Sequence, residues 1–273
     1  MMRRRQKERV GGAAPGVWSP AKLLAVLAAC AVAGLAMLAG LVLTVVADLT
    51  DDQPARPQGQ PDSTRTSSAA VTRQDALAAA PMPTADPDDA LPGPVSNQAA
   101  GVLEVPRAMS VGRADVPTGF PQTPEGALAQ LAALDVTAMQ TGSMDGVRRV
   151  IAEWAAPGGP NPESWSGVDG MASLLSAAGL SGAGSPQLAI AVRPVMGLIK
   201  GTVGAEFAVV CVNLEFTVTV EQTSRIAIAD CQRMAWVGDR WVIGAGPEPA
   251  PAPSIWPGTD AAIGAGWREL RHV

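Results

Sequence analysis

Two acidic residues interrupt apolar patterns in this chain and are the first candidates for chemistry. Asp135 lies among the regularly spaced leucines of a predicted helix, and Asp230 interrupts the alternation of a predicted strand. A carboxyl group that points into a pocket can act as a base. The other interpretation places both side chains at the edge of the buried face, where they reach water. Asp135 and Asp230 are therefore candidate pocket acids.

Two cysteines form a second candidate pair. Cys211 and Cys231 lie on consecutive predicted strands, and a turn centred near Glu221 sets them roughly opposite each other. A disulfide persists outside the cytoplasm, and this one would contribute on the order of 3 kcal/mol in the chain-entropy model. Two separately buried thiols are the alternative.

Other catalytic chemistry is sparse in the sequence. The only histidine, His272, is next to the last residue, and the chain has no tyrosine. We expect His272 to be solvated, although histidine is the commonest general acid or base. Zinc would need clustered Cys and His, and the glycine-rich stretches lack the lysine and hydroxyl of a P-loop. The sequence thus predicts a protein that is not an enzyme and has no cofactor or metal.

The longest apolar stretch, residues 23–47, contains no charged residue. As a helix it would be about 37 Å long, enough to cross a hydrocarbon core of about 30 Å. The sequence therefore predicts one transmembrane helix. A signal peptide cleaved after Ala47 and lipid attachment at Cys30 are the alternatives.

Charges on either side of this stretch predict its orientation. Residues 1–22 carry a charge of +5, and the rest of the chain carries −10. Basic residues remain on the cytoplasmic side, so the N-terminus is predicted to be cytoplasmic and the remainder extracytoplasmic. The basic tail can contact anionic membrane lipid. The acidic exterior argues against direct nucleic-acid binding by the outer domain.

Residues 48–118 are rich in Pro, Asp, Ser and Gln, and the first aromatic residue after them is Phe120. Such a segment buries too little apolar surface to offset the entropy of ordering it. We therefore predict a disordered extracytoplasmic linker.

The pattern from residue 119 to 246 predicts one folded domain. Thr123 and Ser143 are good N-caps for two amphipathic helices, and a third is predicted from about Ser166. Alternating strands follow, and a change of parity near Asn213 predicts a bulge. The predicted fold class is α+β: one transmembrane helix, a disordered linker, then a single cone-like domain of three helices packed on a curved antiparallel sheet.

The last segment, residues 247–273, is predicted to form a Pro-rich arm and a short helix capped by Thr259. Trp256 and Trp267 need a surface to cover them. They either dock on their own domain or contact a partner, since tryptophan is enriched in interface hot spots.

The order of these segments resembles a known family. A basic tail, one span, a tether, three helices and a curved sheet resemble the single-pass assembly factors of type IV secretion and conjugation systems, including TcpC-like proteins. The segments VPTGFPQTPEGA at 116–127 and MAWVGDRWV at 234–242 look like proteins carried by integrative elements of GC-rich Gram-positive bacteria. The resemblance implies a cone-like domain of the nuclear-transport-factor-2 or ketosteroid-isomerase type.

The resemblance also implies a function. It predicts a non-enzymatic, membrane-anchored scaffold of a conjugative DNA-transfer channel, in contact with other channel subunits and with copies of itself. Two alternatives stay open: an accessory protein of a lipid or solute transporter of the Mce-associated type, and a ligand-binding cone with Asp135 or Asp230 in its pocket.

Overall fold

The computed structural model describes residues 63–273, with side chains from residue 68 onward. The basic tail, the apolar stretch 23–47 and residues 48–62 lie outside the described residues. In the described part of the chain, no helix combines the length and the apolarity that a bilayer span requires. The helices are α1 Ser63–Ala79, α2 Pro124–Gln140, α3 Met144–Trp154, α4 Ser166–Ala177 and α5 Asp260–Gly264. Two 3-10 turns span Pro87–Ala90 and Arg113–Asp115.

Local capping signals start the two main helices at the predicted residues. The Thr123 hydroxyl accepts a hydrogen bond from the Gly126 N–H at 3.0 Å at the start of α2. The Ser143 hydroxyl accepts one from the Gly146 N–H at 3.2 Å at the start of α3. Each cap satisfies an N–H group that the first turn of a helix leaves without a partner.

The strands form one large sheet and one small hairpin. The six-stranded sheet curls into a half-barrel with the order β1-β8-β4-β5-β6-β7, and β2 pairs with β3 in the hairpin. The strands are β1 Val102–Val105, β2 Ser110–Val111, β3 Pro117–Thr118, β4 Ala189–Thr202, β5 Phe207–Thr219, β6 Thr223–Val237, β7 Arg240–Ile243 and β8 Arg268–His272. All neighbouring strands are antiparallel except β1 and β8, which are parallel.

Both faces of the long strand β5 are buried, which explains the change of parity near Asn213. Its inner face, with Leu214 and Phe216, packs against α2, α3 and α4 in the main core. Its outer face is covered by α1 near Val209 and by the C-terminal arm near Cys211. The predicted bulge in β5 is wrong, because β5 pairs with β6 without interruption. The register shift lies on β4, between Pro194 and Met196, opposite this part of β5.

The predicted fold class is wrong on two points. Residues 63–118 are not a disordered linker, because they form α1, β1, β2 and β3. The sheet is mixed rather than antiparallel, and it takes β1 from the supposed linker and β8 from the supposed arm. The predicted transmembrane helix, residues 23–47, lies outside the described residues and stays a prediction. The composition of residues 63–118 predicted disorder because the segment has little apolar surface of its own. In the folded chain it packs against apolar surface that belongs to the rest of the domain.

Polar contacts hold α1 on the outer face of the sheet. The Lys200 ammonium, on β4, donates to the carbonyl of Ala78 at 2.9 Å and to that of Ala80. The guanidinium of Arg233, on β6, donates to the Asp75 carboxylate at 2.6 Å. Arg233 is almost fully buried, whereas Asp75 is half exposed. The two contacts join α1 to β4 and β6, the strands on either side of β5.

Replacing Asp75 with Ala is expected to lower the free energy of unfolding by about 2 kcal/mol, since it leaves the buried Arg233 charge without its carboxylate. The loss is smaller than for a fully buried pair because Asp75 reaches solvent. Urea unfolding monitored by tryptophan fluorescence measures it. Arg73→Ala, which removes an exposed charge from the same helix, should change the midpoint little. Equal losses in the two variants would contradict this role of Asp75.

Candidate functional site

A small cavity lies between the helices and the inner face of the sheet. It has a volume of about 110 Å³, and Asp135 from α2 and Asp230 from β6 both line it. The rest of its wall is largely apolar, with Leu214 and Phe216 from β5. The curved sheet and α2 therefore bring together two acids that are 95 residues apart in the sequence.

A larger apolar groove adjoins this cavity. It has a volume of about 770 Å³ and runs between α4 and the ends of β5 and β6. Gly170, Leu174 and Ile228 line both spaces, so the groove forms the approach to the cavity. Val218 and Ile226 contribute to its apolar wall. The combined space falls in the size range of small-molecule sites in proteins.

Asp135 is the deeper of the two acids. Its side chain is only 2% exposed, and its Oδ2 atom has no hydrogen-bond partner. Burial raises the pKa of Asp135 well above its usual value, and the negative charges of Asp230 and Glu248 raise it further. The folded chain therefore stabilises the protonated form of Asp135 relative to its carboxylate.

Asp230 shares this environment. Burial and the charge of Glu248 raise the pKa of Asp230 to about 7. Hydrogen bonds from the Gln232 amide, at 3.0 Å, and from the backbone of Cys231 oppose that rise. The Asp230 Oδ2 atom has no hydrogen-bond partner. Near neutral pH this group is poised between its neutral and charged forms.

Glu248 is a third acid, and sequence reasoning missed it. The backbone N–H and hydroxyl of Ser166, at the start of α4, donate to the Glu248 carboxylate at 2.9 and 3.1 Å. The buried Gln232 amide lies between Glu248, at 3.4 Å, and Asp230. Glu248 follows β7 in the stretch that the sequence assigned to a Pro-rich arm. Gln232 could have been noticed as a second polar residue in the apolar pattern, two positions after Asp230.

No cation neutralises these acids within the described part of the molecule. The four ion pairs of that part involve other carboxylates, those of Glu153, Glu215 and Asp75. The described residues also contain no group of three metal-ligating side chains placed to hold a metal ion. The site can hold protons, donate a hydrogen bond from a protonated carboxyl, or accept hydrogen bonds from a donor that enters the cavity.

The remaining predicted residues lie on the outer face of the sheet. Cys211 and Cys231 are paired across β5 and β6 and are joined by a disulfide. Trp267 and Trp256 are 1% and 7% exposed, so both rings are covered by their own domain rather than being free for a partner. Trp267 packs in a small cluster with the disulfide and Ile255. His272 is exposed on β8 and lines neither the cavity nor the groove.

Comparisons of this chain with protein-family models, with curated proteins and with solved structures found no match. The resemblance to conjugation assembly factors therefore stays a prediction from the sequence. The class of protein is defined here by its own geometry: a curled mixed sheet with three helices on its inner face, and a buried acid, Asp135, beside a half-buried one, Asp230, at the inner end of an apolar groove.

Proposed function

We propose that residues 63–273 form an extracytoplasmic binding domain whose groove takes a small, largely apolar molecule with one polar end. The observation that carries this proposal is the pair of unpartnered carboxyl oxygens, Asp135 Oδ2 and Asp230 Oδ2, in a cavity next to an apolar groove of about 770 Å³. Burying a polar atom without a partner costs free energy. A ligand that supplies the partner recovers that cost, while its apolar part gains from leaving water.

The disulfide and the sequence support the location. A disulfide such as Cys211–Cys231 persists in oxidising compartments and is rare in the cytosol. The apolar stretch 23–47, with basic residues before it, supports attachment to the cell membrane with a cytoplasmic N-terminus. The membrane attachment rests on the sequence alone. We propose binding without catalysis, since the cavity wall holds no histidine, lysine or cysteine.

Filling the groove tests the proposal. Gly170 lines both spaces, and a Cβ atom placed on it meets no neighbour within 4 Å. Gly170→Leu should therefore fold, block the passage and lower ligand binding by about tenfold, which corresponds to about 1.4 kcal/mol. Gly170→Ala, which adds only a methyl group, is the matched control.

The measurement is photolabelling of the full-length protein in mild detergent with an octyl alcohol that carries a diazirine in its chain. Mass spectrometry of the peptides maps the label. We expect labels on 166–178 and 218–228 in the native protein and in Gly170→Ala, and few in Gly170→Leu. If Gly170→Leu left the labelling of these two peptides unchanged, the proposal would be contradicted.

A second candidate function is the scaffold of a conjugative DNA-transfer channel. Met109 and Val111, on the β2–β3 hairpin, are 80% and 70% exposed, and neighbouring exposed apolar side chains favour a protein contact. Affinity purification of the full-length protein in mild detergent should then recover a conjugation ATPase, other channel subunits or a second copy of this chain. Met109→Ser with Val111→Ser should reduce that recovery. Recovery of transporter subunits would instead favour the accessory role in lipid or solute transport.

A further inference from the structure

We infer that the polar end of the ligand is a protonated amine, so that the groove selects aliphatic amines. The ammonium group would lie in the cavity between Asp135 and Asp230, with the aliphatic chain in the groove. This inference rests on the proposed function and adds the chemical class of the ligand.

The charges around the cavity favour a cation. Asp135 from α2 and Asp230 from β6 line it, and a third carboxylate, that of Glu248, accepts hydrogen bonds from Ser166 of the cavity wall. Their remaining polar neighbours, Gln232 and Ser166, are neutral. The walls of the cavity and of the groove contain no lysine, arginine or histidine, and the groove adds a further acid, Glu221. A carboxylate or phosphate would be repelled, whereas an ammonium would find its counter-charge.

Hydrogen-bonding capacity leads to the same class of ligand. The two unpartnered atoms, Asp135 Oδ2 and Asp230 Oδ2, are acceptors when their carboxyl groups are ionised. An ammonium group carries three N–H donors and can serve both atoms at once, whereas an alcohol carries one donor and a carbonyl none. Hydrogen bonds between charged groups are also the stronger kind, above all where water is excluded.

A metal ion is a poorer occupant than an organic cation. The described residues include no set of three ligating side chains placed around one point. The apolar groove would also contribute nothing to the binding of a metal ion. An aliphatic amine uses both parts of the site, since each buried methylene contributes about 0.8 kcal/mol.

The release of a proton on binding gives a second way to recognise an amine ligand. In the empty site, burial and the negative charges nearby favour the protonated forms of Asp135 and Asp230. An entering ammonium stabilises the carboxylates, so binding releases a carboxyl proton to the buffer while the amine keeps its own. Affinity for an amine should therefore rise between pH 6 and pH 8, whereas affinity for an alcohol of the same length should not rise.

The experiment compares three ligands of one chain length on the full-length protein in mild detergent: octylamine, 1-octanol and octanoate. Each competes with the diazirine alcohol for labelling of the groove. We expect octylamine to compete at a concentration at least about tenfold lower than 1-octanol, as expected for charge-assisted hydrogen bonds, and octanoate to compete worst. The octylamine advantage should vanish in Asp135→Asn and Asp230→Asn. It should persist in Asp169→Asn, which removes an exposed acid of α4.

The outcomes separate the inference from the proposed function. Equal competition by octylamine and 1-octanol, or stronger competition by octanoate, would overturn the inference and leave a general apolar site. An absence of groove labelling would overturn the proposed function itself. If either Asn variant fails to fold, the comparison of the three ligands and its pH dependence in the native protein still decide the question.

Discussion

Replacing Asp230 with Asn should remove the fall in stability of about 4 kcal/mol that this carboxyl group causes between pH 4 and pH 8. The pKa of Asp230 rises from 3.8 to about 7 in the folded chain. The folded state therefore binds a proton more tightly than the unfolded state does. The stability that this proton contributes is fully present below 3.8, the pKa of Asp230 in the unfolded chain. It is lost at about 1.4 kcal/mol per pH unit as the pH rises toward 7.

Urea unfolding of the native protein and of Asp230→Asn at pH 4, 6 and 8 measures this effect. The variant should be the more stable protein at pH 8, and the difference should shrink toward pH 4. Asp135→Asn should act in the same direction, since burial raises the pKa of that group as well. Asp169→Asn, at an exposed position of α4, should give a curve parallel to that of the native protein. An Asp230→Asn curve parallel to that of the native protein would show that the folded chain does not raise the pKa of Asp230.

Removing the disulfide has the second largest expected effect. Cys211 and Cys231 are 20 residues apart in sequence, and the bond between them restricts the unfolded chain. The chain-entropy model gives a contribution of about 3 kcal/mol for a loop of this length. Cys211→Ala with Cys231→Ala should therefore lower the free energy of unfolding by about that amount. The loss of packing against Trp267 and Ile255 adds to it.

Urea unfolding under non-reducing conditions gives the midpoint for this double variant. Cys30→Ala is the matched control, because it removes the third cysteine of the chain, which belongs to neither strand. The control should keep the native midpoint. If the double variant kept the native midpoint, the disulfide would restrict the unfolded chain less than the chain-entropy model requires.

Local signals in the sequence were sufficient for the elements that carry the acids. A cap followed by an apolar period places α2 and α3, since the first turn of a helix needs a side-chain acceptor nearby in sequence. The position of Asp135 on α2 and the opposition of the two cysteines followed from the same kind of short-range pattern. The alternation around Asp230 likewise marked a polar group at an apolar position.

The sequence could not place residues whose partners are far along the chain. Nothing local to residues 63–118 reveals that Lys200 and Arg233 hold α1 on the sheet. The apolar pattern of β5 led to a wrongly predicted bulge for the same reason, because α1 and the C-terminal arm bury the outer face of this strand. A rule that assigns one buried face to a strand fails where distant segments cover both faces.

The candidate site likewise combines features visible in the sequence with features that depend on the folded chain. From the sequence alone one can tell which residue types could do chemistry: two acids at apolar positions, a pair of cysteines and a single histidine, His272. The tertiary structure decided that the two acids face one cavity, that Glu248 joins them, and that Trp256 and Trp267 lie under their own domain. The physical reason is that propensity, capping and periodicity act over a few residues. Burial and charge coupling depend on which segments the whole chain brings together.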